Sequence, residues 1–162
     1  MITWEDYLMG RDAEHGDEIT QAMRDDAALL LKRVNALLTM AAIDGVYPGI
    51  DQHTGTPVAS GWRPAHINDR TANAAKGSNH ITMRAIDVQD TPDRAIARWC
   101  LAHIDVLINL GLWIERPQWT GGADPWVHFQ KVPPGSGHRV YVPTQAPPLC
   151  AALPGELEAC NA

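Results

Sequence analysis

Cysteine is scarce: the 162-residue chain has three, and no Cys-x-x-Cys pair occurs among them. That count excludes a thiolate zinc site and a disulfide framework. Cys100 falls within an apolar helical pattern and reads as a small core residue. Cys150 and Cys160 are close enough in sequence to bridge across the tail. An excess of positive charge is missing too. Lys and Arg number 13 against 19 Asp and Glu, a net charge of −6, which removes the electrostatic case for nucleic acid as a partner. No apolar run approaches membrane-spanning length, so no membrane partner is expected. The opening MITWEDYLMGRD has neither the basic start nor the apolar stretch of a signal peptide, and the chain is expected to be made in the cytoplasm. Internal repeats are absent, as is the regular strand–helix alternation of a parallel sheet.

What remains is an ordinary globular composition, 45% apolar and 20% charged, of a length that suits one domain. Residues 17–43 form the clearest helix. Ile19, Met23, Ala27, Leu30, Val34, Leu37 and Ala41 recur every three or four positions, and Asp44-Gly45 stops the pattern. Residues 45–57 read as loop, 58–62 as a short β-like segment, and 64–79 as a loop with one helical turn at most. Residues 81–88 alternate as a strand does. A second helix starts at Thr91-Pro92-Asp93 and runs to a cap at Gly111. Further strands are expected at 112–115, 126–132 and 139–142, with turns at Gly121-Gly122 and Pro133-Pro134-Gly135. The class is α+β, with a domain over 1–143 and a Pro- and Ala-rich tail over 144–162.

The chemistry concentrates in SGWRPAHINDRTANAAKGSNHITMRAID (60–87) and WVHFQ (126–130). These stretches supply His80, Asp87 and His128. Two imidazoles and one carboxylate leave a tetrahedral Zn²⁺ one open position, as a catalytic metal requires. Asp87 is placed on a strand, His80 just before it, and His128 on another strand beside Trp126 and Gln130 by the period of two. A hydrolytic site also needs a base, for which Asp124, the nearest carboxylate in sequence to His128, is the first candidate and Glu115 the other, and a cation for an oxyanion or a substrate carboxylate, for which Arg63 is suited. Ser78 is placed to orient a ligand, and Trp62, Trp119 and Trp126 to wall a groove.

SGWR, the asparagine five residues on (Asn68), S-N-H-x(4)-A-I-D and W-V-H together resemble peptidase family M15, the zinc D,D- and L,D-peptidases. That family includes D-Ala-D-Ala carboxypeptidases, dipeptidases and phage endolysins. Its pattern, roughly SGYR…SxHxxGxAxD…WxH, is matched by Ser60-Gly61-Trp62-Arg63, Ser78, His80, Ala85, Asp87, Trp126 and His128. YLMGRD, RVNALL and PPGSGHRVYVP are similar to segments of phage and prophage members. The resemblance spans about residues 3–143. It implies zinc bound by His80, Asp87 and His128, with Arg63 on the substrate or its transition state. It also implies the small hedgehog/D,D-peptidase fold with an antiparallel sheet carrying the metal. The implied substrate is the stem peptide or cross-link of peptidoglycan. Without an export signal, the chain is expected to meet it in the wall or periplasm only after release; a monomer is favoured, with the oligomeric state left open by the sequence. Two positions depart from the pattern. Met83 stands where the family has glycine, and Pro125 where many relatives place an acid three residues before the last histidine.

Blander roles compete with these. Of the seven histidines, His15, His53, His66, His103 and His138 read as surface or satisfied core residues. Arg63 could be an ordinary ion-pair residue, and Asp124 a solvated turn aspartate. Pro125 motivates an alternative to an enzyme: a non-catalytic wall-binding or phage structural module that keeps the fold.

Overall fold

The computed structural model describes residues 1–120 and 122–142; Gly121, the tail from 143, and with it the Cys150–Cys160 pairing lie outside them. The described residues form an α+β domain with six α-helices and a five-stranded mixed sheet.

Short helices open the chain. Thr3 and Asp6 cap each other's backbone ahead of α1 (Trp4–Leu8). α2 (Asp12–His15) and a 3₁₀ turn, Gly16–Glu18, follow. The expected long helix is α3 (Gln21–Ile43), which starts later than residue 17 because the Thr20 side chain accepts the Met23 amide as N-cap. Its buried stripe is Ala27, Leu30, Leu31, Val34, Leu37, Leu38 and Ala41. Ile19 is buried but precedes the helix.

The strands are β1 (Val58–Ser60), β2 (Ala85–Gln89), β3 (Trp113–Glu115), β4 (Trp126–Gln130) and β5 (Val140–Tyr141), in the order β1-β2-β4-β3-β5. All neighbours are antiparallel except β3 and β5, so the sheet is mixed, not wholly antiparallel as expected. The centre, β2 against β4, is antiparallel and pairs Asp87 directly with His128. Alternation splits the two faces. Ile86, Val88, Val127, Phe129 and Ile114 belong to the core cluster, while Asp87, Gln89, His128 and Gln130 point the other way. At one end, Asp26 of α3 accepts from Arg84 at 2.6 Å and also from Lys131, tying the start of β2 and the end of β4 to the long helix.

Two expected elements come out differently and a third appears as expected. β2 begins at Ala85, because 81–84 form a turn in which Met83 takes a left-handed φ of 57°. α4 (Ala65–Arg70) supplies the single helical turn expected in 64–79. The helix expected from 91 to 110 is two helices, α5 (Ala95–Ala102) and α6 (Ile104–Leu110). His103 divides them. Its ring stacks on Trp99 at 4.3 Å, and its Nδ1 donates to the Trp99 carbonyl at 2.9 Å, so the side chain competes for helix backbone. At the front of α5, Arg94 is left-handed, and Asp90 accepts the amides of Ile96 at 2.9 Å and Ala97 at 3.0 Å. Gly111, at φ 61°, ends α6 as expected. Cys100 is a buried free thiol, and among the described residues no helix is long and apolar enough to cross a membrane.

Candidate metal centre

His80, Asp87 and His128 come together as a cluster that could hold a metal ion. His80 Nε2 and Asp87 Oδ1 are 3.4 Å apart, His80 Nε2 and His128 Nδ1 3.4 Å, and His128 Nδ1 and Asp87 Oδ1 2.7 Å. Donors about 2.0–2.1 Å from a tetrahedral ion are separated by about 3.3 Å, so the triangle fits such an ion with a small opening of its short edge. All three are buried or nearly so: His80 is 1% exposed and Asp87 8%. Two antiparallel strands hold Asp87 and His128 opposite each other, which makes the site rigid.

The third ligand is set by a glycine. His80 Nδ1 lies 2.7 Å from the Gly61 carbonyl. Donation from Nδ1 to that oxygen frees Nε2 to face Asp87 and His128. Gly61 is required there, because a Cβ on it would meet the Tyr7 carbonyl oxygen at 1.8 Å. The Trp62 amide donates to that same Tyr7 carbonyl at 3.0 Å, and the Tyr7 hydroxyl donates to the Ala85 carbonyl at 3.1 Å. The buried tyrosine of α1 thus ties the SGW segment to β2. Met83 keeps the backbone conformation that glycine favours, although it is a fully buried methionine.

The ligands' protonation follows from their contacts. Burial works against the charged Asp87 carboxylate, but His80 and His128 overcome it and hold the carboxyl far below its ordinary range. Burial lowers the His80 pKa, with Asp87 opposing only in part, so this ring is neutral and able to ligate. For His128 burial is outweighed by the Asp87 hydrogen bond and charge, with Glu115 and Gln130 adding to them, and its pKa rises.

Arg63 is half-buried within electrostatic reach of Asp87, and burial lowers its pKa. Its Nη2 donates to Ser78 Oγ at 3.3 Å, and that oxygen also accepts the His80 amide at 3.3 Å. Ser78 therefore positions both the candidate cation and a ligand. Trp126 shares the His128 face of β4 and is half-buried, as a groove wall needs. Trp62 does not fit that role: it is fully buried in the core and offers no face to a ligand. Trp119 is half-buried in a 3₁₀ turn, Pro117–Trp119, with its indole nitrogen buried and without a hydrogen-bond partner among the described residues.

The two candidate bases separate clearly. Asp124 is exposed and takes a 2.6 Å hydrogen bond from Gln89 Nε2. The same amide donates to the Pro125 carbonyl at 3.1 Å. Glu115 is half-buried on β3, whose register runs Trp113 to Gln130 and Ile114 to Phe129. One further step along that register brings Glu115 opposite His128, on the face of the metal cluster. Burial, opposed by His128 and reinforced by the Asp87 charge, raises its pKa to about 7.

The chain matches no family model, no curated protein and no solved structure.

Three neighbours of the site had no distinct signal in the sequence. Arg11 donates to the Trp62 carbonyl, and its guanidinium feels that of Arg63. Tyr141 donates to Gln130 Oε1 at 2.8 Å, and burial raises its pKa so that it stays a neutral donor. Gln89 fixes Asp124. Only the period of two, carried on from Asp87, could have marked Gln89 as facing the site.

Proposed function

We propose that this chain is a zinc-dependent peptidase acting on the stem peptides or cross-links of peptidoglycan, with the hedgehog/D,D-peptidase type of fold. The observation that carries the metal half of this reading is the His80–Asp87–His128 triangle, with one imidazole set by a backbone carbonyl and two ligands opposed on adjacent strands. The substrate half rests on the SGWR, S-N-H-x(4)-A-I-D and W-V-H pattern together with Arg63 at the site.

Neutral imidazoles and a single carboxylate suit zinc better than calcium or magnesium, which prefer oxygen donors. A bound zinc ion supplies Lewis acidity toward a carbonyl and toward water. The protein's own groups do the rest. Glu115, which faces the cluster from β3, takes the proton of the attacking water and returns it to the leaving amine. Arg63, held by Ser78, binds a peptide carboxylate or the developing oxyanion. Trp126 walls the cleft beside His128. Assigning the proton to Glu115 also answers the objection from Pro125. An acid from the neighbouring strand stands in for one three residues before the last histidine.

The test is release of new amino groups from purified sacculi by zinc-loaded protein, beside a chelated control and His128→Ala. Chelator-sensitive release that His128→Ala lacks is the expected result. Release unaffected by both, or none from zinc-loaded protein, contradicts the proposal.

A further inference from the structure

A second cluster of the same donor chemistry lies outside the proposed active site. His15 closes α2, Glu18 ends the 3₁₀ turn after it, and His66 is the second residue of α4. Their ligand atoms all lie within 4.8 Å of one another. Glu18 Oε1 is 3.0 Å from His15 Nδ1, and the rings of His15 and His66 have centroids 4.3 Å apart, tilted by 49°. Glu14 reaches the other nitrogen of His15 at 3.8 Å.

An ion pair between Glu18 and a charged His15 accounts for one of these contacts. That pair does not involve His66, whose ring lies against that of His15. A cation shared by all three accounts for every approach, and the 3.0 Å separation is near the donor spacing of a tetrahedral site. The three segments come from both sides of α3 in the sequence and meet only through the fold. Two imidazoles and a carboxylate favour a borderline divalent ion of the zinc, cobalt or nickel kind over calcium or magnesium. Glu18 and His66 are exposed and His15 partly so, which leaves further positions to water and keeps the desolvation cost of the carboxylate small.

We infer that His15, Glu18 and His66 form a second transition-metal site, which braces the N-terminal segment against α4. The brace bears on the first site through the backbone. Four residues before His15, Arg11 donates to the Trp62 carbonyl, and Arg63-Pro64 leads directly into the helix that carries His66. An ion at the brace holds the segment from which Arg63 projects. It ligates no substrate and does no chemistry itself.

The test uses zinc stoichiometry by elemental mass spectrometry on the full chain, equilibrated with micromolar zinc and desalted. The wild type is expected to hold two ions per chain, His128→Ala one, His15→Ala/His66→Ala one, and the triple variant none. Zinc is also expected to raise the Tm of His128→Ala and leave that of the folded triple variant unchanged. Glu18→Gln, a milder change, is expected to weaken the ion retained by His128→Ala. The inference is overturned if His128→Ala holds no zinc, or if its ion survives in the triple variant. These outcomes are separable from failure of the strand site. One wild-type ion lost with His128→Ala contradicts only the brace; one lost only with His15→Ala/His66→Ala contradicts only the strand site.

Discussion

Two imidazoles and a carboxylate meet twice in this domain, and the two places differ in what holds the donors. At His80, Asp87 and His128 the donors sit on a paired strand centre and a turn fixed by Gly61, and little of them reaches water. At His15, Glu18 and His66 they sit on short helical segments at the surface. Donor identity is shared, so it cannot be what distinguishes the two sites. The difference lies in the surroundings. Around the strand site stand Glu115 with a pKa of about 7, Arg63 braced by Ser78, and the half-buried Trp126. At the surface site Glu14 approaches His15, and Glu18 and His66 are exposed.

The largest effect expected from breaking this contrast is at the strand ligands. Asp87→Ala or His80→Ala should lower peptide release to that of the chelated control, whereas His15→Ala should leave substantial release. Assays of purified sacculi check this, and equal losses from both would erase the distinction. Next comes Glu115→Gln, expected to cut kcat by about 10²- to 10⁴-fold, the range for a lost general base, with zinc retained. Asp124→Asn, at an exposed position, should change kcat by about twofold or less. Steady-state kinetics on a defined stem peptide separates the two, and the reverse order would return the base to Asp124.

Gly61→Ala sharpens the role of the backbone. Its Cβ would press on the Tyr7 carbonyl and move the oxygen that orients His80. The cost is expected at about 1–3 kcal/mol in denaturant unfolding. Zinc affinity should fall about 10- to 100-fold, as when an outer-shell partner of a ligand is lost. Met83→Gly weighs two effects of opposite sign. Relief of the left-handed backbone recovers about 1–2 kcal/mol, and losing a buried methionine costs about 2–5 kcal/mol. A net loss of stability is therefore expected, even though glycine stands at this position in the pattern the sequence resembles.

The smallest effect concerns pH. In chelated protein the folded Glu115 carboxyl keeps its proton up to about pH 7, while the unfolded one releases it near the ordinary glutamate value. Folding takes up a proton between those limits. The stabilising contribution is thus full below the ordinary value and fades as the pH rises toward 7. Unfolding curves of wild type and Glu115→Gln across pH 4–8 check the sign, expressed on the scale of about one proton at most. A wild-type curve no steeper than that of Glu115→Gln would contradict it.

What the sequence discloses and what it withholds divide along local and non-local lines. The α3 stripe, the Gly111 cap and the strands holding Asp87 and His128 rest on periodicity and turn residues, and they appear as expected apart from their ends. The break at His103 depends on stacking against Trp99, which no helical pattern signals. Trp62 sits in a motif that suggests a groove, yet the close approach of Tyr7 at Gly61 turns it into the core. That Glu115, and not the sequence-nearer Asp124, lies on the His128 face follows from the register between β3 and β4, which no local pattern signals. His15 and His66 looked like two unrelated surface histidines until the fold brought them together.

The most direct measurement is the mass spectrum of purified peptidoglycan after digestion by zinc-loaded protein, run beside a chelated control. Chelator-sensitive fragments whose masses correspond to cleaved stem-peptide or cross-link amides are expected. An unchanged spectrum, from protein shown to hold zinc at His80, Asp87 and His128, would contradict the proposed peptidase activity.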